Sequence, residues 1–302
     1  MTEPRFPAGA HGGDGERLAR TLGIPPSDVL DLSLSLNPVA PDMWALVAGH
    51  LDALGRYPDP TEATRALAGA LVVDPERVVL TNGGSEAIAL VAAELGGGRV
   101  DEPDFSLYPR DKTGPRWRSN PHNPTGLLAA PDEPAGVWDE AFYPLATGRW
   151  TRGDADRGAI VVGSLTKVFA CPGLRAGYVL APDVAFADRV RARQPEWSLN
   201  GLATAAIPEL LATAELTQWR DEIARLRTAL VEMLHTHGLA SLPSDANWVL
   251  VPGASDLRDA LACEGVLVRD CTSFGWPDRV RIAVPDPAGL TRLDTALSSM
   301  RP

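Results

Sequence analysis

The stretch Ser164-Leu-Thr-Lys167-Val-Phe-Ala-Cys-Pro-Gly173-Leu-Arg175-Ala-Gly177-Tyr178 decides how this chain is read. Just before it, residues 159–163 (AIVVG) form an apolar run of the kind a buried strand needs. Lys167 therefore stands just past a strand end, among small, hydroxylic and apolar residues. Burial and nearby cations disfavour an ammonium at such a place and leave a nucleophilic amine, the form that makes an imine with a carbonyl. Arg175 follows in a turn marked by Pro172 and Gly173. Its guanidinium is a forked, permanent cation suited to a phosphate.

A second segment upstream points the same way. Residues 77–80 are a short β-type run, the turn-like Thr81-Asn-Gly-Gly-Ser85 follows, and residues 86–95 (EAIALVAAEL) are strong helix formers. Strand, glycine turn and helix together aim backbone N–H groups at an anion.

The rest of the chain supplies a frame. Residues 1–60 read as a Gly- and Pro-rich arm with helical stretches at 15–22 and 41–54, and residues 61–74 carry apolar side chains at helical spacing. Residues 101–158 show little regular pattern. Residues 176–180 read as a strand, and 183–236 as mostly helical with Pro195 and Pro208 as interruptions. Strands are expected at 247–251, 265–269 and 279–284, and helices at 255–263 and 287–299. Such alternation predicts an α/β core with a compact α+β C-terminal domain. The expected division is an arm over 1–40, a large cofactor-binding domain over 41–215 and a small domain over 216–302.

The 302 residues suffice for a full core. The net charge of −11 argues against nucleic acid or an anionic membrane as partner. No apolar run is long enough to span a bilayer, and the N-terminus lacks the layout of a signal peptide. Three cysteines give no disulfide framework, so a cytoplasmic protein with reduced thiols is expected, and no metal site is expected.

The string S-L-T-K-x-x-A-x-P-G-L-R-x-G-Y resembles the lysine segment of fold-type I pyridoxal-phosphate (PLP) enzymes. It is nearest to the histidinol-phosphate aminotransferases and their relative, the threonine-phosphate decarboxylases of cobalamin biosynthesis. N-G-G-S-E at 82–86, N-P-H-N-P-T-G at 120–126, D-E-A-F at 139–142 and R-V-R-I-A-V at 279–284 match in the same order. The resemblance implies a mostly parallel central sheet with a smaller C-terminal domain. It also implies that Lys167 carries PLP as an imine. Gly84, Ser85, Ser164 and Arg175 would cup the cofactor phosphate. Asp139 would pair with the pyridinium nitrogen, Asn123 would bond the ring's phenolic oxygen, and Tyr108 would stack on the ring face. Tyr57 would reach the phosphate of a second subunit in a homodimer. Arg281 would hold the substrate carboxylate. His11 and Arg269 would grip a substrate phosphate, with Asn37 also among the substrate-binding residues.

Several strings resemble the decarboxylase branch in particular: His11-Gly-Gly13, D-L-S-L-S-L-N-P at 31–38, Gln194-Pro-Glu-Trp-Ser-Leu-Asn200, Asp245-Ala-Asn-Trp248 and Leu267-Val-Arg-Asp-Cys271. Phe142 also stands where aminotransferases of the branch more often have Tyr. The leading expectation is PLP-dependent decarboxylation of a phosphorylated amino acid, L-threonine O-3-phosphate, to (R)-1-amino-2-propanol O-2-phosphate. The alternatives are an aminotransferase of the histidinol-phosphate type, acting on a phosphorylated amine, and a degenerate PLP-binding protein without activity. One departure stands out. Only residues 109–119 and 127–138 occupy two intervals where the resemblance implies helices and strands, so a shortened or rebuilt sheet is expected.

Overall fold

The computed structural model describes residues 6, 8, 9 and 11–300. The strands in chain order are β1 (Leu30–Asp31), β2 (Val78–Asn82), β3 (Arg99–Val100), β4 (Arg116–Ser119), β5 (Val137–Asp139) and β6 (Ile160–Ser164). They continue with β7 (Ala176–Leu180), β8 (Trp248–Pro252), β9 (Val266–Leu267), β10 (Arg269–Asp270) and β11 (Arg279–Ala283). The first α-helices are α1 (Gly15–Leu22), α2 (Met43–Ala48), α3 (Thr61–Leu71), α4 (Gly83–Leu95), α5 (Tyr143–Thr147) and α6 (Leu165–Val168). The last are α7 (Val184–Arg191), α8 (Gly201–Ala212), α9 (Leu216–Thr236), α10 (Leu257–Cys263) and α11 (Pro287–Ser299).

The chain divides into two units. One holds Ala40–Asn123 and Leu128–Arg220; the other holds the described residues up to Val39, Pro124–Leu127 and the chain from Asp221 onward.

In the first unit the apolar runs become a six-stranded sheet of order β2-β7-β6-β5-β4-β3. The pairs β3/β4, β4/β5 and β5/β6 are parallel, and β7 runs antiparallel to both β6 and β2. Two antiparallel steps restore direction, so β2 points the same way as β6. One edge of the sheet therefore collects the ends of β4, β5, β6 and β2 together with the start of β7. The register confirms this edge: Ser119 pairs with Asp139, Ser164 with Gly177 and Asn82 with Ala176. One face packs Val79, Val179, Val162, Ile160, Val137 and Trp117 against Ile88 and Val91 of α4 and Phe186 and Val190 of α7. At about 1.5–3 kcal/mol for each large buried side chain, this face holds the unit together along with the opposite one, where Trp138, Val161, Tyr178 and Leu180 are also buried.

The shortened intervals have a clear structural outcome. No helix lies between β3 and β4 or between β4 and β5, although each pair is parallel. Parallel neighbours usually need a helical crossover. Here arginines secure the irregular connections. Arg116 and Arg118 both bond Glu133, and Arg152 bonds the carbonyls of Ala130 and Pro131 while its guanidinium lies 4.6 Å from the centroid of Trp138.

In the second unit β10, β11 and β8 form an antiparallel sheet, and β1 pairs with β9 in parallel. Leu226, Leu230 and Leu234 of α9 recur every fourth residue. They pack on Val249, Val251, Val280 and Ile282 with Leu261 and Leu293.

Three local expectations are corrected. The helix expected over 41–54 breaks after Ala48 and resumes as a 3₁₀ turn at Leu51–Gly55. Pro208 does not interrupt α8, which runs through it. Burial of Ala203, Ala206, Ile207 and Leu210 outweighs the one hydrogen bond that proline forfeits. The single strand expected at 265–269 is two short ones with different partners, β9 on β1 and β10 on β11.

Candidate active site

The edge defined by the sheet gathers most of the expected cofactor residues. Lys167 lies on α6, the single helical turn that follows β6. Its Nζ is 5.8 Å from the ring centroid of Phe142. Asp139 ends β5, and each of its carboxylate oxygens is fixed. Ala141 N–H donates to Oδ1 at 2.9 Å, and the Tyr108 hydroxyl donates to Oδ2 at 2.8 Å. Burial pushes the Asp139 carboxyl up to about 6, against the hydrogen bonds from Ala141 N–H and the Tyr108 hydroxyl, which pull it down. A cationic ring nitrogen beside it would restore the ionised form.

A second cluster surrounds the start of α4. Gly83 has φ +78, and a Cβ there would lie 2.5 Å from Nη2 of Arg175. The guanidinium thus lies directly over the helix N-terminus. Arg175 itself is left-handed at φ 58, and this turn carries its side chain back toward α4. A Cβ on Gly84 would meet Ser164 Cβ at 3.6 Å, while Ser85 is exposed one residue on. Glu86 closes the helix start by accepting from Asn82 N–H at 2.7 Å. It also accepts from Ser198 Oγ and Gln194, tying the 194–198 string to this helix.

Close approach is also essential at Gly177, where a Cβ would lie 2.5 Å from the carbonyl carbon of Gly83 and 2.6 Å from the nitrogen of Gly84. Those are backbone atoms and cannot swing aside. Gly177→Ala should therefore cost about 1–3 kcal/mol of stability and weaken phosphate binding about tenfold or more. Thermal melts and cofactor titration of the apoprotein check both.

Asn123 is buried, with its N–H donating to Ser119 Oγ at 2.8 Å. Tyr108 differs from expectation. Rather than presenting a face for stacking, it is 3% exposed and packs on Trp117 and Phe105 at centroid distances of 5.5 and 5.7 Å. Its ring belongs to the apolar face of the sheet, and its hydroxyl reaches the edge. Tyr57 is 75% exposed and stacks on Trp197 at 4.5 Å.

Glu140, next to Asp139, was not anticipated. It is 1% exposed, accepts from Arg152 N–H at 3.1 Å, and burial pushes its carboxyl from 4.5 to about 7. A raised acid stabilises the fold below its unfolded value, and that contribution is lost as pH rises through 7. Glu140→Gln should therefore be more stable than the parent at pH 8.5, by about 1–3 kcal/mol, and show a flatter stability profile between pH 5 and 8. Chemical denaturation at the two ends of that range measures it.

The second unit holds the expected substrate residues. Arg269 and Arg281 are directly paired across β10 and β11, 3% and 5% exposed. Arg269 bonds Ser273 Oγ at 2.9 Å and the Gly9 carbonyl at 3.3 Å. Arg281 reaches the Ser33 carbonyl at 3.5 Å, and its guanidinium lies 4.8 Å from the ring centroid of Trp248. Burial brings Arg281 down to about 10, and the like charge of Arg269 pushes the same way. His11 is exposed, whereas Asn37 is buried, with Oδ1 accepting from Val39 N–H at 3.1 Å. Among the described residues no cluster of His, Cys, Asp and Glu could hold a metal ion.

Residues 117–297 match the model for aminotransferase class I and II. The chain belongs to the class I and II aminotransferase family. Enzymes of this family depend on pyridoxal phosphate. Among curated relatives, this aminotransferase-family chain is 30% identical to threonine-phosphate decarboxylase of Salmonella typhimurium over 96% of each chain. It is also 30% identical to histidinol-phosphate aminotransferase 2 of Pseudomonas aeruginosa, over 94% of this chain and 92% of that one. The Salmonella alignment runs over 355 positions, more than the 302 residues here, so the family frame is kept with deletions.

Solved structures agree on the fold. Histidinol-phosphate aminotransferase from Sinorhizobium meliloti, in complex with pyridoxal-5'-phosphate, is similar at TM-score 0.82 and 18% identity over 95% of each chain. L-threonine-O-3-phosphate decarboxylase from Porphyromonas gingivalis is similar at TM-score 0.76 and 23% identity, over 90% of this chain and 99% of that one. The fold is thus the PLP-dependent type I fold expected from the sequence. The donor set suits the family's cofactor: an amine, a buried carboxylate, and a helix start with an arginine over a cradle that a Cβ would fill.

Proposed function

We propose that this chain is a PLP-dependent decarboxylase of a phosphorylated amino acid, with L-threonine O-3-phosphate as substrate and (R)-1-amino-2-propanol O-2-phosphate as product, serving cobalamin biosynthesis. The observation that carries this reading is the buried Arg269–Arg281 pair. Two adjacent buried guanidiniums suit a ligand with two anionic groups, each taken as a fork. A phosphorylated amino acid brings a carboxylate and a phosphate, whereas histidinol phosphate brings only a phosphate.

In this reading Lys167 Nζ anchors the cofactor, and the α4 start with Ser85, Ser164 and Arg175 holds its phosphate. Asp139 would pair with its ring nitrogen and Asn123 with its phenolic oxygen. Bound there, the cofactor supplies an electron sink for the bond that breaks at the substrate Cα. Arg281 holds the carboxylate as a fork and Arg269 holds the phosphate, with His11 and Asn37 beside the phosphate grip. These grips would orient the substrate and so select the bond that breaks at Cα. In decarboxylation CO₂ would leave, and a proton from Lys167 Nζ or a water would take its place on Cα. The exposed Tyr57–Trp197 stack suits contact with a second copy of the chain, so the proposed assembly is a homodimer. Free thiols at Cys171, Cys263 and Cys271 support a cytoplasmic setting.

A second reading, transamination of histidinol phosphate or a similar amine, is favoured by the equal identity to the Pseudomonas aminotransferase. Product analysis separates the two. CO₂ released from threonine phosphate with no keto acid added supports the decarboxylase. Turnover strictly dependent on 2-oxoglutarate supports the aminotransferase and overturns the first reading.

A further inference from the structure

Tyr108 is placed unlike a residue meant to lie against a cofactor ring. Its ring is buried against Trp117 and Phe105, and its hydroxyl donates to Asp139 Oδ2. Behind it stands a buried pair. Ser119 Oγ donates to Asp104 Oδ1 at 2.5 Å, Ser119 N–H donates to Asp104 Oδ2 at 3.0 Å, and the Ser119 hydroxyl also bears on Tyr108. The loop carrying Asp104 and Tyr108 is gathered by a single guanidinium. Arg110 donates to the carbonyls of Asp104, Phe105 and Ser106 at 3.1 Å and of Tyr108 at 2.8 Å.

We infer that Tyr108 is a positioning residue: its hydroxyl, backed by the Asp104–Ser119 pair, fixes the Asp139 carboxylate in place for the cofactor's ring nitrogen. The inference rests on Asp139 being the partner of that nitrogen. With Ala141 N–H on one oxygen and Tyr108 on the other, the plane of the carboxylate is set before any ligand arrives. Burial and the charges of Asp139 and Asp104 hold the Tyr108 phenol well above its usual range, so it stays a donor. Against its burial, Ala141 N–H, Tyr108 and Lys167 favour the ionised form of Asp139, and Asp104 opposes it. Without the phenol, Asp139 protonates more readily.

The test uses pyridoxamine 5'-phosphate, which cannot attach to Lys167 and so reads the ring contact without a covalent bond. The full-length apoprotein is titrated by fluorescence across pH 5 to 8. Parent affinity should fall as pH drops through about 6, the Asp139 value. Tyr108→Phe keeps the buried ring. It should weaken binding about tenfold, the scale of a hydrogen bond to a charged group, and move the fall to higher pH. Ser119→Ala should move both readings the same way by less, and it remains informative if the first variant folds poorly. Asp139→Asn should bind weakly with no such pH dependence. Parent-like affinity and pH midpoint in both Tyr108→Phe and Ser119→Ala, with Asp139→Asn impaired, would overturn the positioning role and leave the proposed function standing. Parent-like binding by Asp139→Asn would overturn both.

Discussion

Lys167→Ala should lose turnover by about 10⁴-fold or more and lose the visible absorbance of covalently held cofactor, while still binding cofactor phosphate. The size follows from the two duties proposed for one nitrogen. It anchors the cofactor, and it carries a proton to or from the substrate, a step worth about 10²–10⁴ by itself. The other proposed contacts are separate from it: Arg175 lies over Gly83 at the start of α4, and Asp139 ends β5. Noncovalent binding should therefore survive within about tenfold, as read by titration with pyridoxamine phosphate. Turnover close to the parent level would remove Lys167 from the mechanism. A parent protein whose absorbance stays unchanged with every phosphorylated amino acid tried would instead favour a PLP-binding protein without activity.

Arg281→Met is expected to raise KM for the phosphorylated amino acid about 30- to 1000-fold, the value of a lost forked carboxylate contact at about 2–4 kcal/mol. It should leave the melting temperature equal to the parent's or higher. Arg281 is buried directly opposite Arg269, so its charge is held against both desolvation and a like neighbour. An apolar side chain of similar length removes both costs. A merely structural arginine would give the opposite pair of results, a lower melting temperature with KM unchanged. Steady-state kinetics and a thermal melt on the same preparation decide between them.

The sequence made the centre of the first unit legible for a physical reason. β6 and β7 are continuous apolar runs, and Gly177 in β7 stands where backbone meets backbone. Such features are local and can be read in a short window. β4 and β5 could not be read that way. They are Arg-Trp-Arg-Ser and Val-Trp-Asp, four and three residues long, and the charges in β4 find their partners at Asp101 and Glu133, outside the strand. The bond from Tyr108 to Asp139 joins residues 31 apart, so the motif marked both residues but not their contact. The directly opposed arginines were each visible as candidates. Their pairing depends on the register of β10 against β11, which no single segment displays.

The helix-free links around β4 have a wider consequence. The residues that steady Asp139 sit on the same stretch of chain that arginines, rather than packed helices, keep in order. Dissolved ions compete with such contacts far more than with buried hydrocarbon. Raised ionic strength should therefore loosen the flank of the sheet that carries Tyr108 before it touches the apolar core. The economy of this short polypeptide ties its upkeep of shape to its chemistry.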